Sequence, residues 1–277
     1  MNGDAPDPAL QHGPPAARPA AAGTDSFGAF AEESILGWTL RRYGAIASTQ
    51  DAADGLPPWT AVAAESQTAG RGQWQRTFTS DRGGFYLTAV LPFDGDALRW
   101  SGFALAVGWS IAWRFQARGI ASVRLRWPND LMIGDRKLGG ILVDQGGAGT
   151  LRVGLGLNVA NRPWLHDPGL HATACRLADF AREEQLGFEA LLPPVLGALR
   201  SAHFGFSHGG LAAFAEALNL SWGEAREVRL EMAKGAPSPE VSGLFHGILP
   251  NGDLILEDRA GQRFEVRSHL VMRLHEV

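Results

Sequence analysis

The stretch GGILVDQGGAGTLRVGLGLNV, Gly139 to Val159, decides the architecture. Two apolar runs, GGILVD and LRVGLGLNV, flank the glycine-rich connection QGGAGT, and this pattern predicts an antiparallel hairpin. In the second run Leu151, Val153, Leu155, Leu157 and Val159 fall on one face, leaving Arg152, Gly154, Gly156 and Asn158 on the other. Two successive glycines on one face make a bare patch of sheet. Such a patch suits either the close approach of a backbone or aromatic ring, or a flat floor for a planar ligand with Asn158 at its edge.

Working outward, SVRLRW (Ser122–Trp127) alternates as a half-buried strand, with Val123, Leu125 and Trp127 opposite Arg124 and Arg126. RWPND follows, where Pro128 biases Trp127 to an extended backbone and Asn129-Asp130 turn the chain. TAVAAES (Thr60–Ser66) and GGFYLTAVLPF (Gly83–Phe93) read as two more strands, the latter with Phe85, Leu87, Ala89 and Leu91 on one face. Between them, SQTAGRGQWQRTFTSDR has no periodicity, and a loop of that length inside a compact domain is functional or mobile. A helix is expected over Ala97–Arg118, closed by Gly119. Residues 176–220 read as helical, with Pro193 and Pro194 opening a helix. From Trp222 onward, short strands alternate with tight turns at Asn251-Gly252 and Asp258–Gly261, a small β-barrel pattern. The expected organisation is a disordered Ala/Pro-rich tail (1–25), a catalytic domain (26–221) and a small barrel domain (222–277).

Composition narrows the function classes. The net charge is −4 with no run of like charges, which argues against DNA or an anionic membrane as the main partner. The single cysteine, Cys175, cannot form an intramolecular disulfide and fits a reducing compartment. No segment supplies a membrane span or a signal peptide. Phosphate-loop, dinucleotide-binding, H-E-x-x-H and G-x-S-x-G motifs are all absent.

Three polar clusters carry the chemistry. In TAGRGQWQR, glycines flank Arg71, so backbone N–H groups can line a concavity while Arg71 and Arg76 offer guanidiniums to phosphate or carboxylate. In RWPND, Asn129 and Asp130 either form a turn or face a ligand at a strand end, where Asp130 could hold Mg²⁺. In RKLGGILVD, Lys137 is one of two lysines, the other being Lys234, among 25 basic residues. An ordinary solvated position in this chain would be arginine. A compact ammonium kept before Gly139-Gly140 suits contact with oxygens of two different groups.

The order ASTQDAA, SQTAGRGQWQRTF, GGFYLTAVLP, LRWPNDLMIGDRKLGGILVD, VGLGLNV resembles the catalytic core of biotin protein ligases, closely over residues 45–160 and moderately over the last 35. The resemblance implies an α+β fold: a mixed sheet of the class II aminoacyl-tRNA synthetase and biotin-lipoate ligase type with flanking helices, and a C-terminal SH3-like β-barrel. It implies an enzyme that activates biotin with MgATP as biotinyl-5′-adenylate and transfers it to a lysine of a biotin carboxyl carrier domain of acetyl-CoA carboxylase or a related carboxylase. Ser48, Thr49, Gln50 and Gln67 would line the biotin pocket with Gly140; Arg71, Gly72 and Gln73 would fold over it. Arg76, Phe78, Asn129, Asp130 and Asn158 would lie near the nucleotide. Lys137, Arg71 and Arg126 would be catalytic, acting electrostatically on charge at the α-phosphorus.

This chain departs from the family pattern at Gln73, for an arginine, Gln75, for a glycine, Phe78, for a tryptophan, Arg126, for a lysine, and Asp144, for a glutamate. Gln73 and Gln75 bear on loop closure and retention of the adenylate. About 45 residues precede the first motif, too few for the winged-helix domain of repressor relatives, so the expectation is a cytoplasmic ligase without DNA binding that admits a homodimer. The competing readings are a lipoate or octanoate ligase, and a non-catalytic protein that binds biotin or an adenylate.

Overall fold

The computed structural model of the chain describes residues 21–147 and 149–277, leaving aside the side chain of Gln75. The chain opens with β1 (Ala21–Asp25), β2 (Gly28–Ile35) and β3 (Trp38–Ile46), then a one-turn helix α1 (Thr49–Ala52), β4 (Thr60–Gln67) and β5 (Phe85–Pro92). Helix α2 (Phe103–Ala117) leads to β6 (Arg124–Arg126), β7 (Asp130–Ile133), β8 (Arg136–Gln145) and β9 (Thr150–Leu157). Two helices, α3 (Phe188–Gly209) and α4 (Ala212–Trp222), precede β10 (Arg226–Met232), β11 (Glu240–Ile248), β12 (Leu254–Glu257), β13 (Arg263–Val266) and β14 (Val271–Glu276).

Among the described residues nine strands form one sheet in the order β1-β2-β3-β4-β5-β9-β8-β7-β6, in which only β3 and β4 pair in parallel. The fold is therefore α+β with a large mixed sheet. Alternation sorts its two faces. Leu151, Val153, Leu155 and Leu157 pack with Leu87, Ala89, Leu91 and the apolar residues of α2, α3 and α4 in the main core. The opposite face holds a smaller cluster, Val62, Ala64 and Val90 under Ala52 and Ala53 at the end of α1.

That second face also carries a row of residues crossing five strands. Tyr86 pairs with Gly156, Gly156 with Gly140, Gly140 with Asp130, and Asp130 with Arg126. One row along lie Thr88, Gly154 and Leu142, and in the next Val90, Arg152 and Asp144. A register shift between Leu131 and Met132 leaves Leu138 as an extra residue in β8. The shift is a β-bulge and reverses the phase of the strand. Leu138 and Ile141 are buried in the core, while Lys137, Gly140, Leu142 and Asp144 share the other face.

The last five strands make an antiparallel sheet in the order β13-β12-β11-β10-β14. Among the described pairings β13 and β14 do not meet, so this sheet is open where a closed barrel was expected. Its β11–β12 and β12–β13 turns fall at Asn251-Gly252 and Asp258–Gly261, with Gly252 and Gly261 at positive φ. Trp222, expected to start the small module, is instead the last residue of α4. There it joins the two sheets, donating its indole N–H to the Leu125 carbonyl (2.7 Å) and packing edge-on against Phe245.

Three further boundaries differ from expectation. Ala21–Asp25 belongs to the sheet rather than to the expected tail, held by pairing with β2 and by the Tyr43 hydroxyl, which donates to Asp25 (2.5 Å); residues 1–20 lie outside the described residues. Helix α2 starts at Phe103, because residues around Asp94 and Asp96 instead cap turns through their side chains. Pro193 and Pro194 lie inside α3, more than a turn after Phe188. The helix tolerates two missing donors in its second turn, since it gains its stability from burying Leu191, Leu192, Val195 and Leu196.

Candidate functional site

A cavity of about 540 Å³ opens on the face of the sheet opposite α2, α3 and α4. Its floor is Gly140, Leu142, Gly154 and Gly156, and its two ends differ in chemistry.

One end is neutral and polar. Ser48 caps α1, its hydroxyl accepting from the Gln50 backbone N–H (3.2 Å). The Gln67 carboxamide oxygen accepts from the Thr49 backbone N–H (2.8 Å) and hydroxyl (3.1 Å), and its amide donates to Ser80 (2.9 Å). The Thr88 hydroxyl lies 2.9 Å from the Thr49 hydroxyl and 3.1 Å from the Gln50 carboxamide oxygen. Ser48, Thr49, Gln50 and Thr88 are buried, so each of these bonds replaces water that cannot reach them.

The other end is ionic. Asp130 is paired through both carboxylate oxygens, one with the Lys137 ammonium (2.5 Å) and one with the Arg126 guanidinium (2.7 Å). Burial alone would raise the Asp130 carboxyl, but Lys137 and Arg126 outweigh it and hold the group below the ordinary carboxylate value. The Lys137 backbone is clamped on its free side as well. Its N–H donates to the Thr173 carbonyl and its own carbonyl accepts from the Cys175 N–H. The site thus presents two cations held by one carboxylate, a net positive end.

The Gly-Arg loop folds on itself as a small hairpin. The Gly72 N–H donates to the Arg76 carbonyl, the Phe78 N–H to the Gly70 carbonyl, and Arg71 bridges Thr77. The Gly72 N–H, one of those expected to line an anion concavity, is spent in this way. Arg71 itself reaches the Asp51 carboxylate (2.7 Å), with Asp144 at 3.9 Å. Trp74, at the loop tip, adopts a left-handed backbone (φ 57°) and is exposed.

Of the residues expected to line a site, Ser48, Thr49, Gln50, Gln67, Arg71, Gly72, Gln73, Arg76, Phe78, Arg126, Asn129, Asp130, Lys137 and Gly140 all border this one cavity. Asn158 does not: its amide is buried, donating to the Cys175 carbonyl (3.2 Å) and accepting from Asn161 (3.0 Å). Asn129 borders the cavity, yet its amide is committed to the Ile141 carbonyl (2.6 Å), a clasp between β7 and β8. The glycine floor is covered by protein groups. A Cβ at Gly156 would lie 2.6 Å from the Phe78 ring, and one at Gly154 would lie 2.8 Å from the Gln50 carboxamide oxygen. Gly139, two residues after Lys137, is a packing residue, since a Cβ there would lie 2.1 Å from the Gly156 carbonyl oxygen. The side chain of Gln75 lies outside the described residues.

Asp130 does not fit the metal role expected of it, because both of its oxygens already face cations. Among the described residues no three His, Cys, Asp or Glu side chains converge on a metal position. A magnesium ion accompanying a nucleotide would take its ligands from phosphate and water.

Sequence reading missed three contributors. Thr88 stands opposite the apolar face of β5, where alternation could have found it. Leu170, Thr173 and Ala174 border the cavity beside Lys137, and Met272–Glu276 of β14 form a wall from the small sheet. That wall is held by Glu276, which accepts from Arg124 twice (2.9 and 2.6 Å). No local signal announces a contact between residues 124 and 276.

The sequence profile of the biotin/lipoate A/B protein ligase family matches residues 42–158. The biotin--[acetyl-CoA-carboxylase] ligase of Paracoccus denitrificans is 30% identical over 225 residues, covering 76% of this chain and 89% of that one. The chain belongs to the biotin/lipoate A/B protein ligase family. Another relative, the bifunctional ligase/repressor BirA of Escherichia coli (strain K12), is 37% identical over 107 residues, 37% of this chain; the match spans about a third (33%) of that longer protein. A biotin protein ligase from Aquifex aeolicus, solved in complex with biotin and ATP, shares the fold with a TM-score of 0.71 at 22% identity, covering 86% of this chain and 99% of that chain. The family profile spans the neutral end and the ionic end of the cavity alike. It stops short of the small sheet that walls it. Among the described residues no helix is long and apolar enough to cross a membrane.

Proposed function

We propose that this chain is a biotin protein ligase, activating biotin with ATP as biotinyl-5′-adenylate and transferring it to a lysine of a biotin carboxyl carrier domain. The observation that carries this reading is the polarity of the cavity. Gln50 over Gly154 and the Lys137–Asp130–Arg126 group lie two strands and two residues apart, a span of roughly 12 Å from sheet spacings. A ligand with a neutral urea at one end, an aliphatic chain and a carboxylate at the other matches that span and that order of chemistry. Lipoate, which has no urea, offers the neutral end neither N–H donors nor a urea carbonyl and forgoes those hydrogen bonds, each worth about 1 kcal/mol.

In the first half-reaction a carboxylate oxygen attacks the α-phosphorus of ATP, the bond to the bridging oxygen breaks, and pyrophosphate leaves. Lys137, on the phase set by the bulge, is positioned to hold the carboxylate and the phosphate together; Arg126 and, on release from Asp51, Arg71 oppose the charge that builds there. In the second, a carrier lysine amine attacks the acyl carbon, AMP leaves with the bonding pair, and the amine loses a proton. Phe78 offers a ring to the adenine, and Arg76 lies on the same side. The open five-stranded sheet is read as the SH3-like barrel of the family. Its β14 walls the cavity and shields the mixed anhydride from water.

The reading includes a cytoplasmic location, consistent with one free buried cysteine, and no operator DNA, consistent with a net charge of −4. Oligomeric state, including a homodimer, is read by sedimentation. The deciding experiment is incubation with ATP and either biotin or lipoate, following pyrophosphate and the mass of a biotin carboxyl carrier domain. Pyrophosphate with biotin and a biotinylated carrier are expected. Activity with lipoate alone would overturn the substrate, and biotin binding without carrier labelling would overturn the enzyme.

A further inference from the structure

Gln50 is held at one end by a residue that does not touch the cavity. Its amide nitrogen donates to the Asp144 carboxylate (3.1 Å), and its second amide hydrogen faces the Arg152 carbonyl at 3.4 Å. Both neighbours are acceptors only. Turning the carboxamide over would set its oxygen against a carboxylate and a carbonyl, so one orientation is enforced. Its oxygen then points over Gly154 toward Thr88, where a Cβ on residue 154 would strike it.

The rest of the neutral end inherits this polarity. With the Gln50 oxygen fixed as an acceptor, the Thr88 hydroxyl has a defined partner, and Thr49 is left to donate to Gln67. Gln67 is fixed from the far side, where its amide donates to Ser80 and Ser80 donates to the Phe78 carbonyl. The chain of bonds therefore has two anchors, a backbone carbonyl at one end and the Asp144 carboxylate at the other. Asp144 sits opposite Arg152 in the β8–β9 register, with the Arg71 guanidinium at 3.9 Å.

We propose that Asp144 is a positioning residue for substrate recognition: through Gln50 it fixes which side of the neutral end accepts hydrogen bonds, so that the cavity meets the N–H groups of a cyclic urea with an acceptor. The proposal rests on the biotin ligase reading for the identity of the urea, and on the described contacts for the orientation of Gln50. Asp144→Asn tests it, because the carboxamide it introduces can donate as well as accept and no longer dictates the orientation of Gln50.

The expected result is a rise of about tenfold in KM for biotin in pyrophosphate release, the worth of one hydrogen bond to a charged group. The kcat at saturating biotin stays within about twofold, since the ionic end is untouched. Desthiobiotin, which keeps the urea, shifts by the same factor. Asp144→Glu, which keeps an acceptor-only carboxylate, stays near the wild type. In a Gln50→Ala background Asp144→Asn adds nothing, because its effect passes through Gln50. An unchanged KM, a fall in kcat alone, or additive effects in the double variant would each overturn the proposal. A direct readout stands apart from activity: the Gln50 side-chain amide protons of the wild type, followed by NMR, exchange slowly with solvent. Rapid exchange in the wild type overturns the proposal even if Asp144→Asn does not fold. If the wild type makes no adenylate, the ligase reading falls, and the amide signals still decide the role of Asp144.

Discussion

The two ends of the cavity are built on opposite principles. The neutral end consists of buried hydroxyls and amides whose hydrogen bonds run outward from Thr49 and Thr88 to two acceptor anchors, Asp144 and a backbone carbonyl. The ionic end places one carboxylate between two cations, and Lys137 keeps more than a third of its side chain exposed (38%). The first arrangement recognises shape and donor pattern, and small geometric errors weaken it by single hydrogen bonds. The second supplies charge, and its loss removes stabilisation of a transition state. The prediction is that damage to the ionic end appears in kcat, and damage to the neutral end in KM.

The largest expected effect breaks the ionic end. Lys137→Ala slows adenylate formation by about 10²- to 10³-fold in pyrophosphate release, with the melting temperature nearly unchanged. Lys137→Arg does not restore the rate, because a planar fork does not replace a point charge touching two groups. A variant that lost affinity for biotin while keeping kcat would erase the contrast between the ends.

Next comes the carboxylate that holds the cations. Asp130→Ala leaves Lys137 and Arg126 facing each other in a mostly buried place and costs about 3 kcal/mol of folding stability, read from the urea midpoint. Its pH dependence follows from the depressed folded-state value of Asp130. A carboxyl held lower when folded contributes stability that is present above its unfolded value and lost as pH falls through its folded one. Activity therefore shows no acid limb from this group above about pH 5. A limb near pH 6 in the pH–rate profile that vanishes in Asp130→Asn would refute this.

Adjacent glycines sharpen the comparison further. Gly139→Ala forces a methyl against the Gly156 carbonyl, at 2.1 Å, and costs about 2 kcal/mol of stability by thermal melting. Gly140→Ala meets the Lys137 side chain at 3.6 Å and stays within about 0.5 kcal/mol of the wild type. Smallest is Thr88→Val, which removes one buried hydroxyl from the neutral end. It costs about 1 kcal/mol of stability and raises the KM for biotin a few-fold without changing kcat.

Much of this was legible in the chain before its fold. The hairpin of β8 and β9, the face assignment of Gly154 and Gly156, and the standing of Lys137 as an exception among arginines all followed from alternation and composition. Local readings failed where partners are distant. Asn158 read as the edge of a ligand floor because its strand points that way, but it lies just past β9, where the chain turns it to Cys175 and Asn161. The wall of β14 gave no signal, since the pairing of Arg124 with Glu276 depends on how two sheets meet. The bulge at Leu138 was hidden for a different reason: plain alternation from Ile141 backward puts Lys137 in the core, and only pairing with β7 shows the extra residue.

The row that crosses the sheet from Arg126 to Tyr86 also dates the site within folding. Its contacts join residues 126 and 130, 130 and 140, 140 and 156, and then 156 and 86, so all but the last are between near neighbours in sequence. Loop closure makes the near pairings fast and the distant one slow. The charged end can thus form in the local hairpins of β6 to β9, while the end that selects the substrate must wait for β4 and β5 to arrive. On refolding, the means to bind anions can therefore form before any preference among them.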